Sequence, residues 1–489
     1  MPELPSKTAP ETAGPRPAAS PPPTAKTTEQ PSERSTGTTT GTTTGTTTGK
    51  NEAPRVAVAS LVGTTIEYYD FAVYGTASAL VLGPAFFPSG NATVSSLAAF
   101  LTFAAAFLSR PLGVVLFGTI GDRLGRRRAL VASLLLMGVA TVGVGLLPTY
   151  ESAGLLAPVL LVTLRLLQGV SMGGEWGGAV LLAAEHAPPG RRALYASIPQ
   201  AGPSLGFLLS TAVILPTLNI VGRDGFVDWA WRIPFLLSTV LVVIGLWVRT
   251  TVSESPVFDT TANRTTQPQP ASASASASAS ASATASRFPL VTLLKRYPGR
   301  VLLGTGAAIG GSAVYYLTIV YSISYGPKEL GIPQNTMLTA ASVGAAAGIA
   351  ITLPVARLAD RIGRRPVMLT GAVGCVVWAV PMYASLSSRN GLVITGAYTV
   401  GLMLLALMFS PVAAFLPELF PARLRYTGAS AAFILANTLG GGFAPLVATW
   451  LNSNWQSPLV LGFYTGTLCL LSLLCLLALP ETRDQEFDI

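Results

Sequence analysis

Apolar residues are arranged along this chain in long runs, which short polar segments separate. Each run is about 20 residues long, which is the length that a helix needs to cross the hydrocarbon core of a bilayer. Membrane strands are shorter and alternate apolar with polar residues, so these runs predict helices. We number them as spans 1 to 12: near 57–82, 95–117, 129–148, 155–183, 194–219 and 230–249 in the first half, and near 301–325, 336–356, 366–387, 391–416, 428–451 and 457–479 in the second. The pattern predicts an all-α membrane protein with twelve transmembrane helices in two six-helix bundles.

Two polar stretches set the predicted boundaries of these bundles. Residues 1–54 contain no apolar run and repeat Gly-Thr-Thr-Thr, a composition typical of disordered tails. They also lack the apolar core of a signal peptide. An Ala-Ser alternation over 271–286 indicates a flexible linker. We therefore predict an N-terminal tail at 1–54 and a C-terminal tail at 481–489. Between them we predict a first bundle at 55–250, a linker at 251–299 and a second bundle at 300–480.

The composition excludes several other classes of protein. Charged residues make up 11% of the 489 residues, whereas soluble domains carry about 25%. A mean hydropathy of +0.54 excludes a water-soluble domain and a disulfide-rich secreted module. The three cysteines lie within apolar runs and favour neither a disulfide framework nor a metal site. With one histidine and no His/Cys clustering, we expect no metal, no cofactor and no enzyme activity.

The basic residues predict the orientation in the membrane. Loops after even-numbered spans hold eighteen of the 31 Lys and Arg residues, and loops after odd-numbered spans hold three. Positively charged loops stay in the cytoplasm, so the even loops and both termini are predicted to be cytoplasmic. The net charge of +9 therefore reflects topology, and we expect no nucleic-acid partner.

An internal repeat links the two halves. The loop after span 2 reads Asp122-Arg-Leu-Gly-Arg-Arg127, and the loop after span 8 reads Asp360-Arg-Ile-Gly-Arg-Arg365, at an offset of 238 residues. A fainter pair, Glu185-His-Ala-Pro188 and Glu418-Leu-Phe-Pro421, has an offset of 233 residues. Repeated helical bundles with matching loops are typical of alternating-access transporters.

Two such loops in a twelve-span chain resemble the major facilitator superfamily. Further segments resemble its metabolite:proton symporter family, which includes organic-acid and proline/betaine carriers. These segments are Gly63-Thr-Thr-Ile-Glu-Tyr-Tyr-Asp-Phe71, Arg110-Pro-Leu-Gly113, Arg165-Leu-Leu-Gln-Gly169, Gly173-Gly-Glu175, Trp231-Arg-Ile-Pro-Phe235, Glu254-Ser-Pro256, Arg425-Tyr-Thr-Gly428 and Pro480-Glu-Thr482. The resemblance covers residues 55–483.

The resemblance implies that the repeated loops form a conformational latch at the cytoplasmic face. Asp122 and Asp360 would be its centres, because such a carboxylate can cap a helix and pair with arginine in one access state only. The alternative is that the loops only set topology. The second loop has Ala356 where the first has Gly118, which weakens its predicted close packing. The implied gate residues are Gly121, Asp122, Arg123, Gly125, Arg126, Arg127, Asp360, Arg361, Gly363, Arg364 and Arg365.

Charged residues within spans are costly and therefore candidate functional groups. Glu67 and Asp70 share one face of span 1, and Arg165 lies at a comparable depth in span 4. Either carboxylate could carry the transported proton, or a permanent salt bridge could fix span 1 to span 4. Glu175 could be a second proton site or a packing partner of Arg110. All these residues lie in the first half, so we predict that proton handling belongs to it.

Neutral polar and aromatic groups complete the predicted substrate pocket. Tyrosine faces can hold a quaternary ammonium group and tyrosine hydroxyls can bind carboxylates. Core packing is the alternative for each tyrosine alone. The predicted substrate-binding residues are Arg165, Gln168, Tyr68, Tyr74, Tyr315, Tyr316, Tyr321 and Arg110.

These features favour proton symport of a small polar metabolite, an organic acid or a zwitterion, by a monomeric multi-pass protein of the cell membrane. The alternative is a facilitator or proton antiporter for sugars or drugs on the same fold, because Glu254-Ser-Pro256 and Pro480-Glu-Thr482 also resemble sugar carriers.

Overall fold

The computed structural model describes residues 49–89, 92–124, 126–173, 175–251 and 289–483, and these residues are helical apart from short connections. Within them, eleven helices are long and apolar enough to cross a membrane. The first helix, Gly49–Ala77, is not among the eleven because polar residues such as Glu67 and Asp70 lower its mean hydropathy. All twelve predicted runs lie within helices, which confirms the predicted fold class.

The helix bounds follow the predicted spans closely. In the first half they are Gly49–Ala77 (span 1), Ala92–Leu124 (span 2), Arg126–Leu146 (span 3), Leu156–Gly173 with Glu175–Glu185 (span 4), Arg192–Ser197 with Gly202–Gly225 (span 5) and Arg232–Thr251 (span 6). In the second half they are Pro298–Tyr316 with Ser322–Glu329 (span 7), Gln334–Ile362 (span 8), Arg364–Ala384 (span 9), Gly391–Phe409 with Val412–Glu418 (span 10), Arg425–Asn437 with Ala444–Trp455 (span 11) and Pro458–Ala478 (span 12).

Short helices connect or interrupt the spans. Four-residue helices lie at Gly83–Phe86 and Tyr150–Ala153, and Pro289–Arg296 precedes span 7. The π-helical turns are Ser78–Leu82, Phe226–Ala230, Leu317–Tyr321 and Thr438–Gly442, and the 3₁₀ turns are Pro199–Ala201, Ser385–Ser388 and Ala422–Leu424. The rest of the predicted N-terminal tail and linker lies outside the described residues.

Packing within the two halves follows one pattern. In the first half, span 2 packs on span 4, span 3 on spans 4 and 6, and span 1 on spans 5 and 6. In the second half, span 8 packs on span 10, span 9 on spans 10 and 12, and span 7 on spans 11 and 12. Each pair recurs six spans later, so the repeat seen in the loops is a repeat of the whole bundle.

Small residues allow spans 2 and 4 to cross closely. A Cβ atom at Gly169 would overlap the carbonyl oxygen of Ala106, and one at Gly173 would overlap that of Arg110. The outer surface of the bundles instead carries large exposed apolar side chains, such as Leu112, Val139 and Trp247. This distribution suits helices that contact each other through glycine and contact lipid through bulky side chains.

Candidate functional site

Spans 1, 3 and 4 bring a carboxylate and a guanidinium into the interior of the first half without direct contact. Thr141 Oγ1 donates a hydrogen bond to Asp70 Oδ2 at 2.8 Å. Gln168 Nε2 donates to Thr141 Oγ1 at 2.7 Å, and Arg165 Nη1 donates to Gln168 Oε1 at 2.7 Å. All four side chains are fully buried. We call Asp70, Thr141, Gln168 and Arg165 the polar relay.

The ends of the polar relay keep unused hydrogen-bonding capacity. Asp70 Oδ1 and the Nε and Nη2 atoms of Arg165 are buried and have no hydrogen-bond partner. The guanidinium of Arg165 lies over the ring of Tyr74, 3.7 Å from its centroid, which is a cation–π contact. Among the described residues, no ion pair joins Asp70 to Arg165. The alternative of a permanent salt bridge between spans 1 and 4 is therefore not supported for Asp70 and Arg165.

A second buried guanidinium, that of Arg110, lies in the same half. It stacks over Phe107 at 4.0 Å, and Phe71 lies 5.0 Å from it and 4.8 Å from the guanidinium of Arg165. Its Nη2 atom contacts Met172 Sδ at 3.5 Å. Phe107 in turn meets the ring of Tyr316 from the second half at 5.4 Å. Aromatic rings from both halves therefore surround Arg110, and rings of the first half surround Arg165.

Glu175 has a partner that differs from the predicted one. It forms an ion pair with Arg249 of span 6, which also donates to the carbonyl of Leu130. The alternative in which Glu175 packs against Arg110 is therefore replaced by a pair with Arg249. The count of basic loop residues included Arg249, but this residue lies in the helix Arg232–Thr251 and its side chain is buried. Glu67 is also buried on span 1, without an ion-pair partner in the described ranges.

A central cavity of about 50 Å³ lies between the two halves. The Tyr315 hydroxyl donates to the carbonyl of Pro203 at 2.8 Å. The lining that the described residues provide contains no charged side chain. It consists of Tyr68, Gln200, Pro203, Ser204, Ser312, Tyr315, Tyr316, Gly348, Thr352, Leu402, Leu405, Ala406, Phe409, Ser410 and Asn437.

Three of the predicted substrate-binding residues, Tyr68, Tyr315 and Tyr316, line this cavity. The others do not: Arg165, Gln168, Tyr74 and Arg110 lie in the interior of the first half, and Tyr321 lines a second cavity described below. Sequence reasoning missed the polar residues that spans 5, 7, 8 and 11 contribute. The sequence feature that could have identified them is an isolated amide or hydroxyl inside an apolar run, as at Gln200, Ser312, Thr352 and Asn437.

The two ends of the interface between the halves differ. We call the end with the loops after even-numbered spans the basic end, and the other the outer end. A vestibule of about 870 Å³ opens at the outer end. Across it, Lys328 Nζ reaches Ser96 Oγ at 3.3 Å. In a separate cavity of about 360 Å³, Asn335 Nδ2 reaches Asn219 Oδ1 at 3.3 Å, and both contacts are exposed. The vestibule is lined by Leu80, Pro84, Pro88, Ser89, Thr93, Ser95, Ser96, Phe100, Arg223, Tyr321, Ser324, Tyr325, Lys328, Glu329, Thr449, Asn452, Ser453 and Gln456.

The basic end is closed by contacts between the halves. Asp360 accepts hydrogen bonds at 3.0 Å from the backbone N–H groups of Ala193 and Leu194 in span 5. Trp176 of span 4 stacks on Phe433 of span 11, with 3.5 Å between ring centroids. These contacts would have to break for the basic end to open.

Arginines and carboxylates hold the second repeated loop in place. Arg364 pairs with Asp360 at 3.3 Å and with Glu418 at 3.2 Å. Glu481 accepts hydrogen bonds at 2.9 Å from the backbone N–H groups of Arg364 and Arg365. The resemblance motifs of spans 8, 10 and 12 therefore meet in one network.

The remaining gate residues fall into two groups. Gly363 turns the chain between spans 8 and 9 with a φ of 110°, a conformation that favours glycine, and Arg361 is exposed. Of the first loop, Gly125 lies outside the described residues, as do the side chains over 121–127. The proposed role of Gly121, Asp122, Arg123, Arg126 and Arg127 stays a prediction.

The sequence profile of the sugar (and other) transporter family matches residues 56–489. The chain belongs to this family. It is a membrane transporter of metabolites and not an enzyme, as the sequence predicted.

Individual relatives of this transporter cover nearly its whole length. The inner membrane metabolite transport protein YhjE of Escherichia coli K12 is 41% identical over 89% of this chain and 96% of its own. The shikimate transporter of the same organism is 36% identical over 88% and 96%, and its proline/betaine transporter is 31% identical over 88% and 84%. Among solved structures, the xylose transporter XylE of E. coli in a partially occluded inward-open conformation shares the fold. Its TM-score is 0.69 at 18% identity, over 89% of this chain and 100% of that chain.

Proposed function

We propose that this transporter couples the entry of a proton to the entry of a small organic acid or zwitterion, by alternating access between its two halves. The observation that carries the proposal is the polar relay. Asp70 is buried at span depth and approaches Arg165 only through Thr141 and Gln168. Because no salt bridge within the described part of the chain fixes its charge, this carboxylate can gain and lose a proton as its access changes.

The contacts between the halves support alternating access. The outer end has a vestibule of about 870 Å³, and the basic end is closed by Asp360 and by the Trp176–Phe433 stack. With the basic end in the cytoplasm, as the positive-inside rule predicts, this arrangement is an outward-facing state. Import would require the contacts at the basic end to break and the outer vestibule to close.

The central cavity supports a small polar substrate. Its lining combines tyrosine rings, hydroxyls and the amides of Gln200 and Asn437. Such groups can bind a carboxylate by hydrogen bonds and a quaternary ammonium group by cation–π attraction. Relatives named as shikimate and proline/betaine transporters are consistent with this substrate class.

The test is uptake into proteoliposomes of purified full-length protein. Labelled shikimate, proline and glycine betaine are supplied outside, with and without an inward proton gradient. We expect at least one of them to accumulate above its external concentration, and only while the gradient persists. Equilibration that ignores the gradient would indicate a facilitator, and expulsion by the gradient would indicate an antiporter; either result contradicts the proposal.

A further inference from the structure

The hydroxyl of Thr141 stands between two competing acceptors. Its oxygen lies 2.8 Å from Asp70 Oδ2 on span 1 and 3.0 Å from the carbonyl oxygen of Met137 in its own helix. It also accepts the hydrogen bond from Gln168 Nε2 at 2.7 Å. A threonine hydroxyl has one proton to donate, so it can satisfy only one of the two acceptors fully.

Other threonines in the spans show the usual hydrogen bond of a threonine hydroxyl in a helix. Thr163, Thr370 and Thr467 each donate to the carbonyl oxygen four residues earlier in the same helix, at 2.8–3.0 Å. Threonine in helices commonly bonds to its own backbone in this way. Thr141 differs because a carboxylate from a neighbouring span offers its hydroxyl a second acceptor.

We propose that Thr141 is the positioning residue that lets Asp70 gain and lose a proton, because its hydroxyl can donate to the carboxylate or accept from the carboxylic acid while it keeps the hydrogen bond from Gln168. This inference rests on the proposed function. With Asp70 ionised, the hydroxyl donates to Oδ2 and presents a lone pair to Gln168, whose Oε1 atom then holds Arg165 Nη1. The guanidinium is thereby held in place beside the carboxylate without a direct ion pair among the described residues.

Protonation of Asp70 reverses the first of these hydrogen bonds. The arriving proton forms an O–H bond on Asp70, and this group donates to Thr141. The hydroxyl of Thr141 keeps its own proton and rotates to donate it to the carbonyl of Met137, which lies within reach. The second lone pair of the hydroxyl still faces Gln168, so Gln168 and Arg165 keep their positions in both protonation states of Asp70.

Few other charged groups surround this carboxylate. Arg165 faces Asp70 from span 4, and Glu67 and Tyr69 are its neighbours on span 1. The Tyr69 hydroxyl donates to the carbonyl of Pro234 in span 6, so it is directed away from the polar relay. The described residues of spans 3, 5 and 6 bring no further charged group against Asp70.

Infrared difference spectroscopy during a pH titration tests the inference without a substrate. The carboxyl stretching band of Asp70 is identified as the one that Asp70→Asn removes. We expect Thr141→Val to shift the frequency of this band, because that frequency depends on the hydrogen bonds of the carboxyl group. Thr141→Ser should restore it. The matched control Thr163→Val removes a hydroxyl that bonds only to its own helix and should leave the band unchanged.

Transport by the same variants gives the second readout. We expect Thr141→Val to lower gradient-driven accumulation of shikimate, proline or glycine betaine about tenfold, the size of one hydrogen bond to a charged group. Exchange without a gradient should stay within about twofold of wild type, since proton coupling is not needed for it. The pH dependence of accumulation should change in Thr141→Val and return in Thr141→Ser.

The outcomes separate the two proposals. An unshifted Asp70 band in Thr141→Val, together with wild-type accumulation, would overturn the role of Thr141. Wild-type accumulation by Asp70→Asn would overturn the proposed function instead. If Thr141→Val does not insert, Thr141→Cys replaces it with the same expected band shift, because a thiol is a weak donor.

Discussion

The first and second halves of this transporter share their packing but not their interior chemistry. At the offset of 233 residues that relates span 4 to span 10, Arg165 corresponds to Tyr398, Gln168 to Gly401 and Glu175 to Met408. Tyr398 is fully buried, like Arg165, yet it brings no charge. One bundle therefore keeps ionisable groups at span depth, and its repeat provides a neutral wall to the central cavity.

The second half places its charges at its end instead. Asp360, Arg364, Glu418 and Glu481 form their network where spans 8, 9, 10 and 12 reach the basic end. Charges at that position can hold or release contacts between the halves, whereas charges at span depth can respond to a proton. The difference suggests that duplication of a bundle was followed by a division of roles.

The largest expected effect is on gradient-driven accumulation, and it distinguishes Arg165 from Tyr398, the residue at the corresponding position of the second half. Arg165→Ala removes the guanidinium that ends the polar relay, and we expect it to abolish gradient-driven accumulation. Tyr398→Phe removes a buried hydroxyl that has no hydrogen-bond partner, so accumulation should remain within about twofold of wild type. Proteoliposome uptake measures both, with equal insertion verified by size-exclusion chromatography. Equal loss in the two variants would remove the proposed asymmetry.

A smaller effect, on the stability of the first half, is expected when the buried Glu175–Arg249 ion pair is broken. Glu175→Gln leaves the guanidinium of Arg249 buried without its counter-charge, which should destabilise the first half by about 3 kcal/mol. Thermal unfolding in detergent measures the change. The double variant Glu175→Gln, Arg249→Met should recover most of the loss. No recovery would mean that Glu175 acts through a group other than Arg249, such as a proton.

The latch in the second half should give the smallest of the three effects. Asp360→Asn weakens the hydrogen bonds to Ala193 and Leu194 and the pair with Arg364. We expect the basic end to open more often, by about tenfold in population, because hydrogen bonds to a charged group are worth about 1.5–3 kcal/mol. Labelling of a cysteine introduced at Ser197 measures this opening. The exposed Arg361→Gln serves as the control, and equal labelling in both variants would argue against a latch.

The sequence predicted the architecture because the physical signals are local. Runs of about 20 apolar residues specify spans, and the two Asp-Arg-x-Gly-Arg-Arg loops identify the repeat. The buried charged residues of the first half were also found, apart from Arg249, since a charge within an apolar run is conspicuous. Asp70 and Arg165 do lie near each other in the structure, as their similar depths predicted.

The partners of these charges could not be predicted, because they depend on how the helices are rotated and spaced. Thr141 looks like any threonine that bonds to its own helix, and only the approach of span 1 gives it a second acceptor. Arg249 resembles a loop arginine until span 4 brings Glu175 beside it. Asn437 was missed for the same reason, since a single amide does not show which way it faces.

The central claim is that the first half handles the proton, and internal pH tests it most directly. A pH-sensitive dye inside proteoliposomes reports proton entry when shikimate, proline or glycine betaine is added outside. Wild type and Tyr398→Phe should acidify the lumen on addition of the transported compound. Asp70→Asn should not acidify it, although exchange of the same compound continues. Acidification by Asp70→Asn at the wild-type rate would contradict the account.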